Sequence, residues 1–131
     1  MYFYNKIKNL YNQYISKKSI ISYNLRAPSN YIDTSTDFVN KGNLYSSTKY
    51  LIWVDTKYFQ VNIFLGSKTN WKSQKNYLCS IGKPSTPTPL GTFQVGAKGY
   101  SFGENHGYIC YYYTQFKGNY LFHSILYNLD N

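Results

Sequence analysis

The sequence predicts a mainly β domain, a sandwich of short strands preceded by one short amphipathic helix. Three observations lead there. Aromatic residues make up 21% of the 131-residue chain, and seventeen of them are tyrosines, whose flat rings suit a pleated surface while the hydroxyl stays wet. Apolar and polar residues alternate over short stretches in the second half of the chain. Glycine and proline punctuate those stretches, which argues for several short strands rather than a parallel α/β sheet. The length suits one domain with a modest core, and neither an internal repeat nor a low-complexity tail is present.

The first element is a helix over Tyr4 to Lys17. Ile7, Leu10, Tyr11, Tyr14 and Ile15 recur at the i, i+3, i+4, i+7, i+8 spacing of one helix face, and Lys6, Lys8, Asn9, Asn12 and Gln13 fill the remainder. Such a basic amphipathic helix can lie on an anionic membrane. The plainer reading is a helix docked on its own domain, since half of its apolar face is tyrosine. From Ser19 to Ser47 the periodicity dissolves. Pro28, Gly42 and the polar run Asp33-Thr34-Ser35-Thr36-Asp37 read as an irregular connection, with a short strand admissible at Ser19 to Leu25. The division expected is therefore an N-terminal helix and linker over residues 1–48 and a β domain over residues 49–131.

Within the β domain, Tyr50 to Asp55 and Phe59 to Gly66 read as a hairpin turning near Thr56-Lys57-Tyr58. Phe59, Val61, Ile63 and Leu65 share one face of its second strand, and Gln60 and Asn62 share the other. Further strands are predicted near Tyr77 to Ile81, from Thr92 to Val95, from Tyr108 to Thr114 and from Asn119 to Tyr127, the last two joined through Gln115 to Gly118.

Fourteen basic side chains against five acidic ones give a net charge of +9, which favours polyanions such as nucleic acid, anionic headgroups or wall polymers. Fourteen Asn, thirteen Lys and ten Ile accompany the tyrosines, all encoded largely by A/T-rich codons, so genome composition accounts for much of the bias. No apolar run, Tyr50 to Val54 included, approaches the length of a membrane span. The N-terminal residues show no continuous apolar core of a secretory signal. Cys79 and Cys110 permit one disulfide without requiring it, and two small buried apolar residues on strands is the simpler reading. With two histidines and no His-x-His or Cys-x-x-Cys spacing, a metal site has little support and no cofactor is implied. His106, in Gly103-Glu104-Asn105-His106-Gly107, reads as a loop residue.

Two segments carry more information. Leu78 to Phe93 reads LCSIGKPSTPTPLGTF, in which Gly82 and Gly91 open unusual backbone conformations and Pro84, Pro87 and Pro89 stiffen the loop between them. By residue type alone this is a stiff surface turn. Gly118 to Asn128 reads GNYLFHSILYN, and a histidine in such an apolar strand is by default a satisfied core imidazole or a half-exposed strand residue. Taken together, the strand ending in Ser80-Ile81-Gly82-Lys83, the Thr86-Pro87-Thr88-Pro89-Leu90-Gly91-Thr92-Phe93 loop and the His123-Ser124 pair resemble the catalytic domain of the L,D-transpeptidases. That family cross-links peptidoglycan through a cysteine nucleophile.

The resemblance covers about Lys49 to Asn131 and implies an incomplete L,D-transpeptidase-type β-sandwich. It makes His123 the base that activates the thiol, and Ser124 the residue whose backbone carbonyl orients the imidazole. It implies peptidoglycan peptide stems as the substrate, outside the cytoplasmic membrane and at the cell wall. The Pro-rich loop would shape the cleft without supplying the nucleophile. The family's Ser-His-Gly-Cys block is not in this sequence, where eight residues follow His123 (131 − 123). The expectation is therefore a chain inactive by itself, the product of an interrupted gene or a half completed by a complementary chain. Cys79 and Cys110 precede the histidine and match no family nucleophile. The competing reading is a small basic, aromatic-rich module for RNA or an anionic wall polymer. Dispersed lysines and strand-like alternation of the aromatics argue against nucleic acid.

Overall fold

The computed structural model describes residues 27–129, which divide at the Cys79–Ser80 junction into two compact units. The predicted helix at Tyr4 to Lys17 and the admissible strand at Ser19 to Leu25 lie outside the described residues. The fold is mainly β, with two antiparallel sheets and one short helix before the strands. Among the described residues no helix is long and apolar enough to cross a membrane.

The unit ending at Cys79 contains helix α1 (Tyr31–Lys41) and strands β1 (Tyr50–Asp55), β2 (Gln60–Ser67) and β3 (Asn70–Leu78), in sheet order β1-β2-β3. The helix corrects the reading of its segment as an irregular connection. Tyr31, Ser35 and Val39 form one buried stripe at i, i+4, i+8. The Thr34, Ser35 and Thr36 hydroxyls donate back to the carbonyls of Tyr31 and Ile32, so these polar side chains are satisfied within the helix. Val39 packs with Phe64 and Trp71 in the core, and Leu44, Leu51 and Trp53 close around them.

Polar groups complete this packing. The Asn40 side chain accepts from the Trp71 N–H at 2.7 Å and donates to the Trp71 carbonyl at 3.0 Å, engaging β3 as a neighbouring strand would. The Tyr31 hydroxyl donates to Asp55 Oδ2 at 3.1 Å and accepts from Asn62 Nδ2 at 2.9 Å. Asp55 Oδ1 takes the Lys57 and Tyr58 N–H groups, which forms the β1–β2 turn. The hairpin follows the predicted bounds closely. Its buried side is a correction, since Gln60, Asn62 and Phe64 are all buried with hydrogen bonds for the polar pair. The predicted apolar face keeps Val61 buried but leaves Ile63 and Leu65 half-buried. The third strand ends at Leu78 and begins at Asn70, well before the predicted start at Tyr77.

The second described unit begins at Ser80. It contains β4 (Lys98–Phe102), β5 (Tyr108–Lys117), β6 (Tyr120–Phe122) and β7 (Tyr127–Asn128), with β5 paired to the other three. Thr92 to Val95 is not a strand. The pairing begins just beyond it, where Gly96 and Ala97 exchange hydrogen bonds with Gln115. A single 3₁₀ turn, Glu104–His106, sits between Gly103 (φ 100°) and Gly107 (φ 78°), and the Tyr108 ring lies over Gly103 where a Cβ would clash. The strand predicted from Asn119 to Tyr127 is broken into β6 and β7, and His123 and Ser124 occupy the break.

Candidate active site

Two short strands flank the break at residues 123–126, and both pair with β5. Between the pair Thr114/Phe122 and the pair Ile109/Tyr127 the two strands advance by equal numbers of residues, so register is kept across the gap. In the gap Ser124 takes over the pairing. Its N–H donates to the Tyr111 carbonyl at 2.9 Å, and its hydroxyl accepts the Tyr111 N–H at 2.8 Å. The hydroxyl proton goes to the Ile125 carbonyl at 2.7 Å, so a serine that is only 7% exposed has every polar side-chain atom satisfied.

This anchoring leaves the Ser124 carbonyl turned to the preceding side chain. His123 Nδ1 lies 2.7 Å from it. A carbonyl only accepts, so Nδ1 carries the proton and donates, and in the neutral ring Nε2 keeps its lone pair. The half-buried imidazole also stands edge-on to Phe102, centroids 5.3 Å apart at 90°. Phe102 is held in turn by the Tyr113 ring, also edge-on at 5.7 Å. On the chain side before the histidine, Phe122 packs on Phe116 at 4.9 Å and Phe116 on Phe93 at 5.8 Å. That chain of rings ties the end of the Pro-rich loop to the strand that delivers His123.

The Pro-rich loop closes on itself. Thr86 N–H donates to the Lys83 carbonyl, and Gly82 N–H donates to Thr88 Oγ1 at 2.7 Å. A Cβ at position 82 would stand 2.3 Å from the Thr86 carbonyl oxygen, so only glycine fits.

Both cysteines are free thiols. Cys79 follows the end of β3, and burial, with the Asp55 charge added, pushes its thiol up to about 12. Cys110 lies on β5 at 1% exposure, and burial raises it too. At neutral pH neither supplies an appreciable thiolate. His106 is exposed, and among the described residues no cluster of metal-ligating side chains exists.

Sequence reasoning selected His123 and Ser124 but not the parts that hold them. The Ser124 hydroxyl, the Phe102 ring and the left-handed Tyr112 (φ 56°) depend on register between β4, β5 and the β6–β7 break. The Gly103 and Gly107 pair flanking a short polar run was the available sign of a β4–β5 turn.

Comparison with known proteins identifies the family and a structural relative. The model of the L,D-transpeptidase catalytic domain (YkuD) matches residues 49–129. The crystal structure of a fused Zn-dependent amidase/peptidase/peptidoglycan-binding domain-containing protein from Clostridium acetobutylicum superposes with a TM-score of 0.67 at 35% identity. The match covers 86% of this chain and 50% of that one, so this chain spans about half the length of that relative. No curated protein matches the chain. The chain belongs to the L,D-transpeptidase catalytic domain family.

Proposed function

We propose that residues 49–129 form the histidine-bearing part of a peptidoglycan L,D-transpeptidase site acting at the cell wall, with His123 as general base and Ser124 as its orienting partner. The observation that carries this is the 2.7 Å contact between His123 Nδ1 and the Ser124 carbonyl. It fixes the ring and reserves Nε2 for a thiol proton. In the proposed reaction that proton moves from a cysteine to Nε2. The thiolate attacks the carbonyl of the third residue of a peptide stem, and the C–N bond to D-alanine breaks as its nitrogen takes the proton from Nε2. The amine of a second stem, giving a proton back to Nε2, then takes the acyl group and frees the cysteine. No cysteine of the Ser-His-Gly-Cys type stands in these 131 residues, and the two thiols present are held protonated. These residues alone are therefore proposed to be inactive, and the site is completed by a complementary segment carrying the cysteine.

Whole-protein mass spectrometry after incubation with a carbapenem tests both halves of this reading. The chain alone should show no adduct, and stoichiometric acylation of Cys79 or Cys110 would overturn the inactivity. With a polypeptide bearing the Ser-His-Gly-Cys block added, acylation of that cysteine is expected, slowed roughly 10²-fold or more by His123→Ala. Equal acylation of wild type and H123A would remove His123 from the role of base.

A further inference from the structure

We infer that the Ser124 hydroxyl, through the Tyr111 N–H, is a positioning group that sets the tautomer of His123. The inference rests on the reading of His123 as a base and names the device that keeps it ready. In a regular ladder the Tyr111 N–H would be met by a backbone carbonyl of the opposing strand. Here the Ser124 Oγ accepts it at 2.8 Å, while the Ser124 N–H returns a bond to the Tyr111 carbonyl at 2.9 Å. A side-chain oxygen thus stands in for a main-chain one. The register on both sides of the gap sets Tyr111 opposite Ile125. The hydroxyl therefore bridges the Tyr111 N–H to the Ile125 carbonyl and pins the Ser124 carbonyl where His123 Nδ1 donates to it at 2.7 Å.

Two further observations show that the exchange is built in. The hydroxyl is itself fixed, because its proton is committed to the Ile125 carbonyl at 2.7 Å and the residue is only 7% exposed. Across the gap, Tyr112 adopts φ 56°, a conformation that strains a bulky L-residue, while its ring is left 66% exposed and gains no burial from it. The strain falls on the residue next to Tyr111, and the same register resumes on both sides of the gap. The β5 strand is bent locally to present the Tyr111 N–H and carbonyl to one serine. The Ser124 side chain touches no reacting atom; it acts on the imidazole through the 124–125 peptide.

The test is nitrogen-15 NMR of the imidazole rings at a pH where His123 is neutral, with His123→Gln identifying its signals against His106. Wild type should show His123 almost wholly as the Nδ1–H tautomer. Ser124→Ala should lower the Nδ1–H to Nε2–H ratio roughly fivefold or more, the factor carried by one hydrogen bond. Ser124→Thr, which keeps the hydroxyl, should restore most of it. An unchanged ratio in a folded S124A would overturn the inference. Should S124A fail to fold, amide exchange in the wild type decides: the Tyr111 N–H should exchange far more slowly than its neighbour Tyr112. Equal rates would show that Ser124 does not hold it, and the inference would fail. Neither readout requires turnover, so the tautomer result stands apart from whether His123 acts as a base.

Discussion

The unit ending at Cys79 and the unit beginning at Ser80 use their polar and aromatic groups in opposite ways. In the first, polar side chains face inward and are satisfied in small separate groups. Tyr31, Asp55 and Asn62 satisfy one another, and Asn40 clasps the main chain of Trp71. Burial also drives the Tyr31 phenol far up and keeps it protonated. In the second, rings meet in edge-on and tilted pairs along β5 and a strand is interrupted, which leaves a histidine half-buried with one nitrogen committed. A satisfied polar core makes a rigid platform, whereas the gap in the β6–β7 ladder leaves a carbonyl to a side chain.

The sharpest separation should appear in thiol reactivity. Cys79 rises from 9.0 to about 12, about three pH units, so at pH 8 its alkylation should be roughly a thousandfold slower than that of an ordinary thiol. The sign for stability follows. A raised pKa contributes fully below pH 9.0 and is lost as pH climbs through about 12. Stability, measured by denaturation followed by tryptophan fluorescence, should fall across that window, and less steeply in Cys79→Ala. Rapid labelling of native Cys79 at pH 8 would contradict the burial.

Phe64→Ala comes next. It empties the centre of the Val39–Phe64–Trp71 core, where Phe64 is fully buried, and should cost about 3–5 kcal/mol. Trp53 and Trp71, the two tryptophans of the chain, both lie in the unit ending at Cys79, so their fluorescence reports this loss directly. A change under about 1 kcal/mol would mean that the polar network, and not the apolar core, holds the helix to its sheet.

Gly82→Ala should be smaller, about 1–3 kcal/mol, because a Cβ there meets the Thr86 carbonyl and the Thr88 nitrogen inside the closed loop. Its effect belongs in the unit that begins at Ser80, read from faster amide exchange at Gly82 and Thr86 with tryptophan fluorescence unmoved. Equal perturbation of the tryptophans would dissolve the contrast between the two units.

Legibility in the sequence followed the same division of forces. The β1–β2 hairpin was readable because β-branched and aromatic residues alternate up to an aspartate that forms the turn. Helix α1 was not. Its buried stripe is Tyr31-Ser35-Val39, and the serine at the centre, among threonines and aspartates, hides the period that a hydrophobic pattern would show. Strand β3 escaped for a similar reason: Asn70 to Asn76 has one apolar residue, Trp71, and its extended form is imposed by pairing with β2. The Thr92 to Val95 segment has the composition of a strand and lacks strand pairing.

The residue types alone determined the family, because its motifs rest on local spacing, and that resemblance singled out the histidine at position 123. The tertiary structure alone decided what faces Nδ1 of that histidine, since the Ser124 carbonyl beside it is held by a serine hydroxyl bonded across to Tyr111 on β5. It also decided that a polar face of β2 lies inside, because helix α1 brings the Tyr31 hydroxyl between Asn62 and Asp55, where it bonds both out of water. Spacing along a chain specifies what a residue is next to. Whether a buried polar group has a partner is settled only when distant segments meet.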